Sequence, residues 1–118
     1  MSLDAFADRL ARVRHRFVST LESRIEDAYA AIPKLIAAEP VSVTTAASTY
    51  RSMHGIVGVG PTVGFPGTGR AAREVEEVLR PAQHANRALT ADEILLFKKR
   101  LYALSEIAKR ELQAFYSR

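Results

Sequence analysis

The sequence predicts an all-α protein, an antiparallel up-and-down bundle of four helices in a single domain over residues 1–118. Three observations predict this class. Apolar residues recur at steps of three and four in four separate stretches. Short connections join the stretches, as in bundles of neighbouring helices. The one stretch rich in β-branched residues has no convincing partner strand, and an isolated strand would leave its edges unpaired.

The first helix is predicted from residue 3 to the proline at position 33. Ser2 or Asp4 can cap its start, and Pro33 should kink or end it. Its apolar positions continue over about eight turns and mark one long amphipathic helix: Leu3, Phe6, Leu10, Val13, Phe17, Leu21, Ile25, Ala28 and Ile32.

The second helix is predicted over residues 42–63, although propensity alone favours a strand there. The run VSVTTAAST is rich in β-branched residues. The helical step of three and four nevertheless holds through this segment, and we expect Pro61 to bend or close the last turn. The positions that keep the step are Val43, Ala46, Tyr50, Met53 and Val57.

Two further helices complete the bundle. The third is predicted between Arg70 and Asn86, although Pro81 is an earlier position at which this helix can end. The fourth begins at a capping box formed by Thr90 and Glu93, a pattern that supplies acceptors to unpaired amides at a helix start. Behind this box the helical period continues at Ile94, Phe97, Leu101, Leu104, Ala108, Leu112 and Phe115.

Composition excludes several classes of site. The chain has no cysteine, so disulfides, thiolate metal sites and cysteine nucleophiles are excluded. Its three histidines are too far apart for a local metal motif, and no metal site is predicted. The net charge of +4 comes with interspersed acids, which is typical of solvated helix faces. We therefore expect no nucleic acid as partner, although a basic bundle that binds nucleic acid stays open as a weaker alternative.

The location predicted from the sequence is cytoplasmic. The segment MSLDAFADRL is charged from its fourth residue and has no apolar signal-peptide core. The uncharged window 52–69 does not resemble a membrane span, because it holds six glycines, two prolines and a histidine.

A cluster of glycines follows His54. All six glycines of the chain fall between positions 55 and 69, where no residue is charged. Glycine inside a helix costs about 0.5–1 kcal/mol relative to alanine, and such local conflicts often mark functional sites. On a helical wheel His54 shares an outer stripe with Arg51, Gly55 and Gly58, so a partner surface can approach the imidazole. The alternative is that the glycines allow tight helix packing and that His54 only lies at the bundle edge.

The spacing after His54 resembles the signature of the histidine phosphotransfer (HPt) domain. In that family the histidine precedes an aliphatic residue by two positions, a glycine by four, a small residue by six and a second glycine by ten. Here these positions are His54, Ile56, Gly58, Gly60 and Gly64. The Gly64-Phe-Pro turn and the run 72–76 (AREVE) look like the bacterial branch. The resemblance extends over essentially the whole chain and implies a four-helix bundle with the histidine on its second long helix.

The resemblance implies a phosphorelay carrier in two-component signal transduction. His54 would accept a phosphoryl group and pass it to, or receive it from, a receiver-domain aspartate or a histidine kinase. Such a carrier is not expected to be an enzyme with its own ATP site, and it needs no cofactor because Mg²⁺ belongs to the receiver. We expect Gly55 and Gly58 to give access to the imidazole, and Ile56 and Val59 to dock the partner's apolar patch.

The residues that follow His54 lack the positive charge found in many HPt domains, and this leaves a second function open. Many family members carry lysine three positions after the histidine, or a basic residue directly after it, whereas this chain has Val57 and Gly55. From its position one turn earlier, Arg51 is a candidate for phosphate stabilisation. No carboxylate occurs from residue 52 to 69, so we expect no acid beside His54. Without a local cation, the alternative is a helical adaptor or degenerate HPt domain that binds receiver or kinase domains without being phosphorylated.

Two other glycine patterns are weaker indications of a functional site than the spacing after His54. The run from Gly64 to Ala71 approaches a phosphate-binding P-loop, but Arg70 replaces the required lysine and Ala71 the hydroxyl that binds Mg²⁺. Gly67 and Gly69 at the start of the third helix are expected to form a tight turn rather than an anion site.

Overall fold

Four α-helices form the fold in the computed structural model, which describes residues 2–117. They are α1 (Leu3–Leu35), α2 (Val41–Val59), α3 (Pro66–Ala85) and α4 (Ala91–Tyr116), and a short 3-10 helix, Pro61–Val63, follows α2. Residues 2–117 contain no β-strand. The predicted all-α class with four helices is therefore confirmed, including the helical interpretation of the β-branched segment.

The two strongest start signals in the sequence are confirmed as caps. The Ser2 hydroxyl accepts a hydrogen bond from the Ala5 amide at 3.1 Å, so Ser2 rather than Asp4 caps α1. At α4 the Thr90 hydroxyl accepts from the Glu93 amide at 3.1 Å. The Glu93 carboxylate accepts from the Thr90 amide at 2.8 Å, which completes the capping box.

The prolines act at helix ends with one exception. Pro33 lies inside the last turn of α1, which ends two residues later at Leu35. After α2, Pro61 cannot continue the hydrogen-bond ladder because it has no N–H, and its ring conflicts with the preceding turn. The α-helix therefore ends at Val59, before the predicted position 63, and the chain continues as the 3-10 helix. Pro81 lies within α3 without ending it.

Helix α3 begins four residues earlier than predicted. Its first residue is Pro66, a favoured first helical residue because its missing N–H would have no helical acceptor there. It ends where Asn86 takes a left-handed conformation with φ of 51°.

The core lies between all four helices. Helix α2 packs on α1 and α3, and α4 packs on α3 and α1. The first two turns of α1 lie outside this core, because Leu3 and Phe6 are exposed although they continue the same apolar stripe. Large side chains that are almost completely buried include Phe17, Leu21, Met53, Ile56, Phe65, Val75, Leu79, Phe97, Leu101 and Leu104.

Candidate functional site

His54 lies in the second half of α2 with its imidazole directed to solvent. Its side chain is 69% exposed, whereas Met53 and Ile56, which face the core, are fully buried. These two apolar side chains fix the rotation of α2 against the core. The outer stripe predicted from the helical period therefore places His54 at the surface.

Glu76 of α3 holds one nitrogen of this imidazole. Its Oε1 lies 3.1 Å from His54 Nδ1, and its side chain is only 5% exposed. Arg80, one turn later on α3, donates to the same oxygen at 3.4 Å. The second oxygen, Oε2, is buried with no hydrogen-bond partner among residues 2–117. The prediction of a site without acids is wrong, because an acid distant in sequence reaches the ring from the neighbouring helix.

Aromatic and cationic groups surround the same pair. The Tyr50 ring lies nearly parallel to the imidazole, with centroids 6.1 Å apart and planes inclined by 9°. The Tyr50 side chain beside Arg80 raises the pKa of that guanidinium, and Glu76 adds to the rise. Tyr50, Glu76 and Arg80 therefore form a polar wall along the α3 side of His54.

The other nitrogen of the imidazole is free. Among residues 2–117 no side chain or backbone group hydrogen-bonds Nε2 of His54. A neutral ring that donates its Nδ1 proton to Glu76 keeps a lone pair on Nε2, available to an electrophile.

Two glycines leave space beside this histidine. A Cβ atom built at Gly58 would meet nothing within 4 Å. At Gly55 it would lie 3.4 Å from Nη1 of Arg24, a residue of α1. The surface one turn beyond His54 is therefore open, and the residue directly after it faces a guanidinium from the neighbouring helix.

Three other glycines serve the turn between α2 and α3. Gly64 adopts φ of 99°, which favours glycine. A Cβ at Gly69 would lie 2.8 Å from Cδ of Pro61, and one at Gly60 would lie 3.2 Å from the Phe65 carbonyl oxygen. The tight-packing interpretation of the glycines thus applies to this turn, while Gly58 has no packing reason to lack a side chain.

The start of α3 is occupied by a carboxylate from α4. Glu111 accepts hydrogen bonds from the Gly67 amide at 3.1 Å, from the Thr68 amide at 2.6 Å and from the Thr68 hydroxyl at 2.7 Å. The protein's own side chain therefore fills the position that an external anion would take at this helix N-terminus.

The remaining predicted site residues fall into three classes of exposure. Arg51 is exposed one turn before His54, and Val59 is half-buried against the core. Ile56 is fully buried, so the prediction that it docks a partner is wrong. Two residues correspond to about 200° around a helix, which puts Ile56 opposite the exposed histidine.

No protein-family model, curated protein or solved structure matches this chain. The geometry around His54 therefore carries the functional argument. Among residues 2–117 no three histidine, cysteine or carboxylate side chains converge as a metal site would require. No helix in that range is long and apolar enough to cross a bilayer. His15 and His84 are exposed on α1 and at the end of α3.

Sequence reasoning missed Glu76, Arg80 and Arg24 as neighbours of the histidine. The sequence does contain a signal for Glu76, because this residue lies on the apolar face of α3 between Val75 and Leu79. A carboxylate on a core-facing position needs a partner, and an exposed histidine on the next helix is one. Nothing comparable in the sequence indicates that Arg24 reaches Gly55.

Proposed function

We propose that this protein is a phosphorelay carrier of the HPt type, in which His54 accepts a phosphoryl group and donates it onward. One observation carries the proposal: an exposed imidazole is fixed through Nδ1 by a buried carboxylate while Nε2 has no partner. A surface histidine with no function has no need of a buried charged residue to orient it. Burial of a carboxylate costs free energy unless it is paired and hydrogen-bonded, and the imidazole is the nearer of the two partners of Glu76.

The transfer step follows from this arrangement. The Nε2 lone pair attacks phosphorus in line with the leaving oxygen of an aspartyl phosphate. The N–P bond forms as the P–O bond breaks, and the aspartate carboxylate leaves with the electron pair. The ring keeps its Nδ1 proton and becomes cationic as its lone pair is donated. The reverse sequence returns the phosphoryl group to an aspartate.

Glu76 has two roles in this step. Its hydrogen bond with Nδ1 selects the ring tautomer that leaves Nε2 unprotonated, and its negative charge stabilises the ring as it becomes cationic. Arg80 pairs with this carboxylate only through Oε1, at 3.4 Å, and the buried Oε2 has no hydrogen-bond partner among residues 2–117. The positive charge that develops on the imidazole adds a second, closer cation to the same carboxylate.

Gly58 supports access by a large partner. Phosphoryl transfer between two proteins needs phosphorus to come within bonding distance of Nε2, so the surface beside the ring has to be free of long side chains. The space around Gly58 meets this need. The proposed partner is a receiver domain or a histidine kinase, with Mg²⁺ held by the receiver, since phosphoryl transfer itself depends on positioning and charge neutralisation.

The proposal also includes an antiparallel up-and-down connectivity and a cytoplasmic location. Helix α1 joins α2 through residues 36–40 and α3 joins α4 through residues 86–90, and connections this short favour antiparallel neighbours. A histidine kinase upstream would take its phosphoryl group from ATP in the cytoplasm.

Phosphorylation by a small donor tests the proposal directly. The protein is incubated with phosphoramidate, which transfers its phosphoryl group with release of ammonia, and is analysed by intact mass and peptide mapping at neutral pH. We expect one acid-labile phosphate on His54 and none in His54→Ala. Because the ring is mostly exposed and Arg80 still pairs with Glu76 in the variant, His54→Ala should change the free energy of unfolding by no more than about 1 kcal/mol.

The test separates the carrier from the adaptor. If wild-type protein stays unmodified with phosphoramidate and with phosphorylated receiver domains, the carrier proposal is wrong and the unphosphorylated adaptor takes its place. A large loss of stability in His54→Ala would instead identify His54 as a structural residue.

A further inference from the structure

A phosphoryl group on His54 needs cations that α2 does not provide after the histidine. Such a group carries a charge of about −1.5 to −2 at neutral pH. No residue from Ser52 to Gly69 is charged. Guanidinium groups are suited to phosphoryl oxygens because they donate two parallel hydrogen bonds. The compensating charge therefore has to come from the preceding turn of α2 or from another helix.

Arg80 is already engaged. It donates to Glu76 Oε1 at 3.4 Å and lies beside Tyr50, which raises its pKa. It is thus part of the wall on the Nδ1 side of the ring, where the phosphoryl group is not attached.

Arg24 occupies a different position. It lies on α1 between the buried Leu21 and Ile25, which fix the rotation of that helix. Its Nη1 is 3.4 Å from the place where a Cβ at Gly55 would stand. The guanidinium therefore reaches from α1 to the residue directly after His54, whereas Glu76 reaches the imidazole from α3.

Two further properties leave Arg24 available. Within residues 2–117 no carboxylate lies within salt-bridge distance of it. It also borders an open groove of 440 Å³ between α1 and α2, whose α2 side carries the hydroxyl groups of Ser48 and Ser52. The groove gives the half-buried side chain room to change rotamer.

We infer that Arg24 is a phosphoryl-binding residue, which reaches across Gly55 from α1 to pair with the phosphoryl oxygens on His54. Gly55 has a specific part in this inference, since a long side chain there would compete with the guanidinium for the same space. The inference rests on the proposed carrier function and adds the group that compensates the incoming charge. The cation that α2 lacks after His54 is thus supplied by the neighbouring helix.

The test compares initial rates of His54 phosphorylation by phosphoramidate, with Arg24→Gln as the central variant. We expect about a tenfold lower rate, as for loss of one charge-assisted hydrogen bond. Arg24→Lys keeps the positive charge, so its phosphorylation rate should fall less than that of Arg24→Gln. Arg12→Gln makes the same chemical change on an exposed position of α1 and should react at the wild-type rate. Thermal melts of all variants check that the fold is intact.

A double variant that moves the cation from α1 to α2 tests whether Arg24 supplies positive charge or only supports the structure. In Arg24→Gln/Gly55→Arg the cation is moved onto α2 beside His54, in the space that the shorter glutamine leaves. We expect this double variant to recover most of the lost rate, which repair of helix packing would not produce.

The outcomes separate this inference from the proposed function. If wild-type His54 is phosphorylated and Arg24→Gln reacts equally fast, the inference about Arg24 is wrong and the carrier function stands. If Arg51→Gln slows the reaction and Arg24→Gln does not, Arg51 is the phosphoryl ligand and the inference is again wrong. If wild-type protein is never phosphorylated, both the carrier function and the role of Arg24 fail.

Discussion

His54 Nδ1 and Glu76 Oε1 lie 3.1 Å apart, and this contact joins a mostly exposed ring to an almost completely buried carboxylate. The two residues are 22 positions apart in sequence and lie on adjacent helices. The pair is therefore created by the packing of α2 on α3. It orients the imidazole and places a negative charge next to it.

Replacing Glu76 by glutamine removes the charge and keeps an oxygen that accepts a hydrogen bond from Nδ1–H of His54. We expect phosphorylation of His54 to slow by about tenfold, because the cationic ring formed during transfer loses about 1.4 kcal/mol of stabilisation. Glu76→Ala, which also removes orientation, should be slower still. Rates are measured by intact mass with phosphoramidate as donor. A wild-type rate in both variants would show that the contact plays no part in transfer.

A larger side chain at Gly58 tests the docking of a partner protein separately from the phosphorylation chemistry at His54. A Cβ there meets nothing within 4 Å, so Gly58→Leu should fold normally. We expect the wild-type rate with phosphoramidate and a rate about 10–100-fold lower with a phosphorylated receiver domain, since the added side chain obstructs the approach of a protein surface.

Gly58→Ala is the matched control for docking. It adds one methyl group, and it should stabilise the helix by about 0.5–1 kcal/mol while receiver transfer is largely retained. Equal receiver rates for Gly58→Leu and wild type would contradict the access argument.

The sequence predicted local features well and long-range contacts poorly. The Ser2 cap and the Thr90–Glu93 box involve residues three positions apart, so their chemistry can be seen directly in the sequence. The pairing of Glu76 with His54 depends on how two helices pack, which local spacing does not determine. Thr68 and Glu111 are 43 residues apart, so local spacing does not predict their contact at the start of α3 either.

Errors at particular residues have equally definite causes. The sequence predicts that Ile56 docks a partner because it is apolar and near His54, but helical rotation turns it into the core. The sequence predicts the end of α2 near residue 63, with Pro61 bending or closing the last turn, whereas the α-helix ends at Val59 and a 3-10 helix follows. Hydrophobic periodicity does not distinguish one turn of a 3-10 helix from a continuing α-helix.

A methyl group at Gly69 should destabilise the fold. In Gly69→Ala the new Cβ would lie 2.8 Å from Cδ and 2.9 Å from Cγ of Pro61, and the proline ring cannot rotate away. We expect a loss of about 1–3 kcal/mol in the free energy of unfolding, measured by urea denaturation. Gly58→Ala, with open space around the new atom, should shift stability in the opposite direction. A Gly69→Ala protein as stable as wild type would show that the turn before α3 relaxes without cost.

The ion pair at the start of α4 should make stability depend on acid pH. Arg87 donates to both oxygens of Glu93, at 2.7 and 3.1 Å, and this contact lowers the pKa of the Glu93 carboxyl. A folded-state pKa below the unfolded value means that protons bind more readily to the unfolded chain. The stabilisation is therefore complete above the unfolded pKa of about 4.3 and is lost as pH falls through the folded pKa.

Glu93→Gln tests this directly, because glutamine keeps the capping box and removes the charge. We expect it to be less stable than wild type by on the order of 1 kcal/mol at pH 7, since the pair is partly exposed. The difference should shrink as the pH falls below the unfolded value of about 4.3 and disappear once wild-type Glu93 is protonated as well. Urea denaturation across this pH range measures the gap, with Glu22→Gln as an exposed control whose curve should run parallel to wild type. A gap between wild type and Glu93→Gln that stays constant as the pH is lowered until the carboxyl is protonated would exclude the ion pair as its origin, because only the charged carboxylate pairs with Arg87.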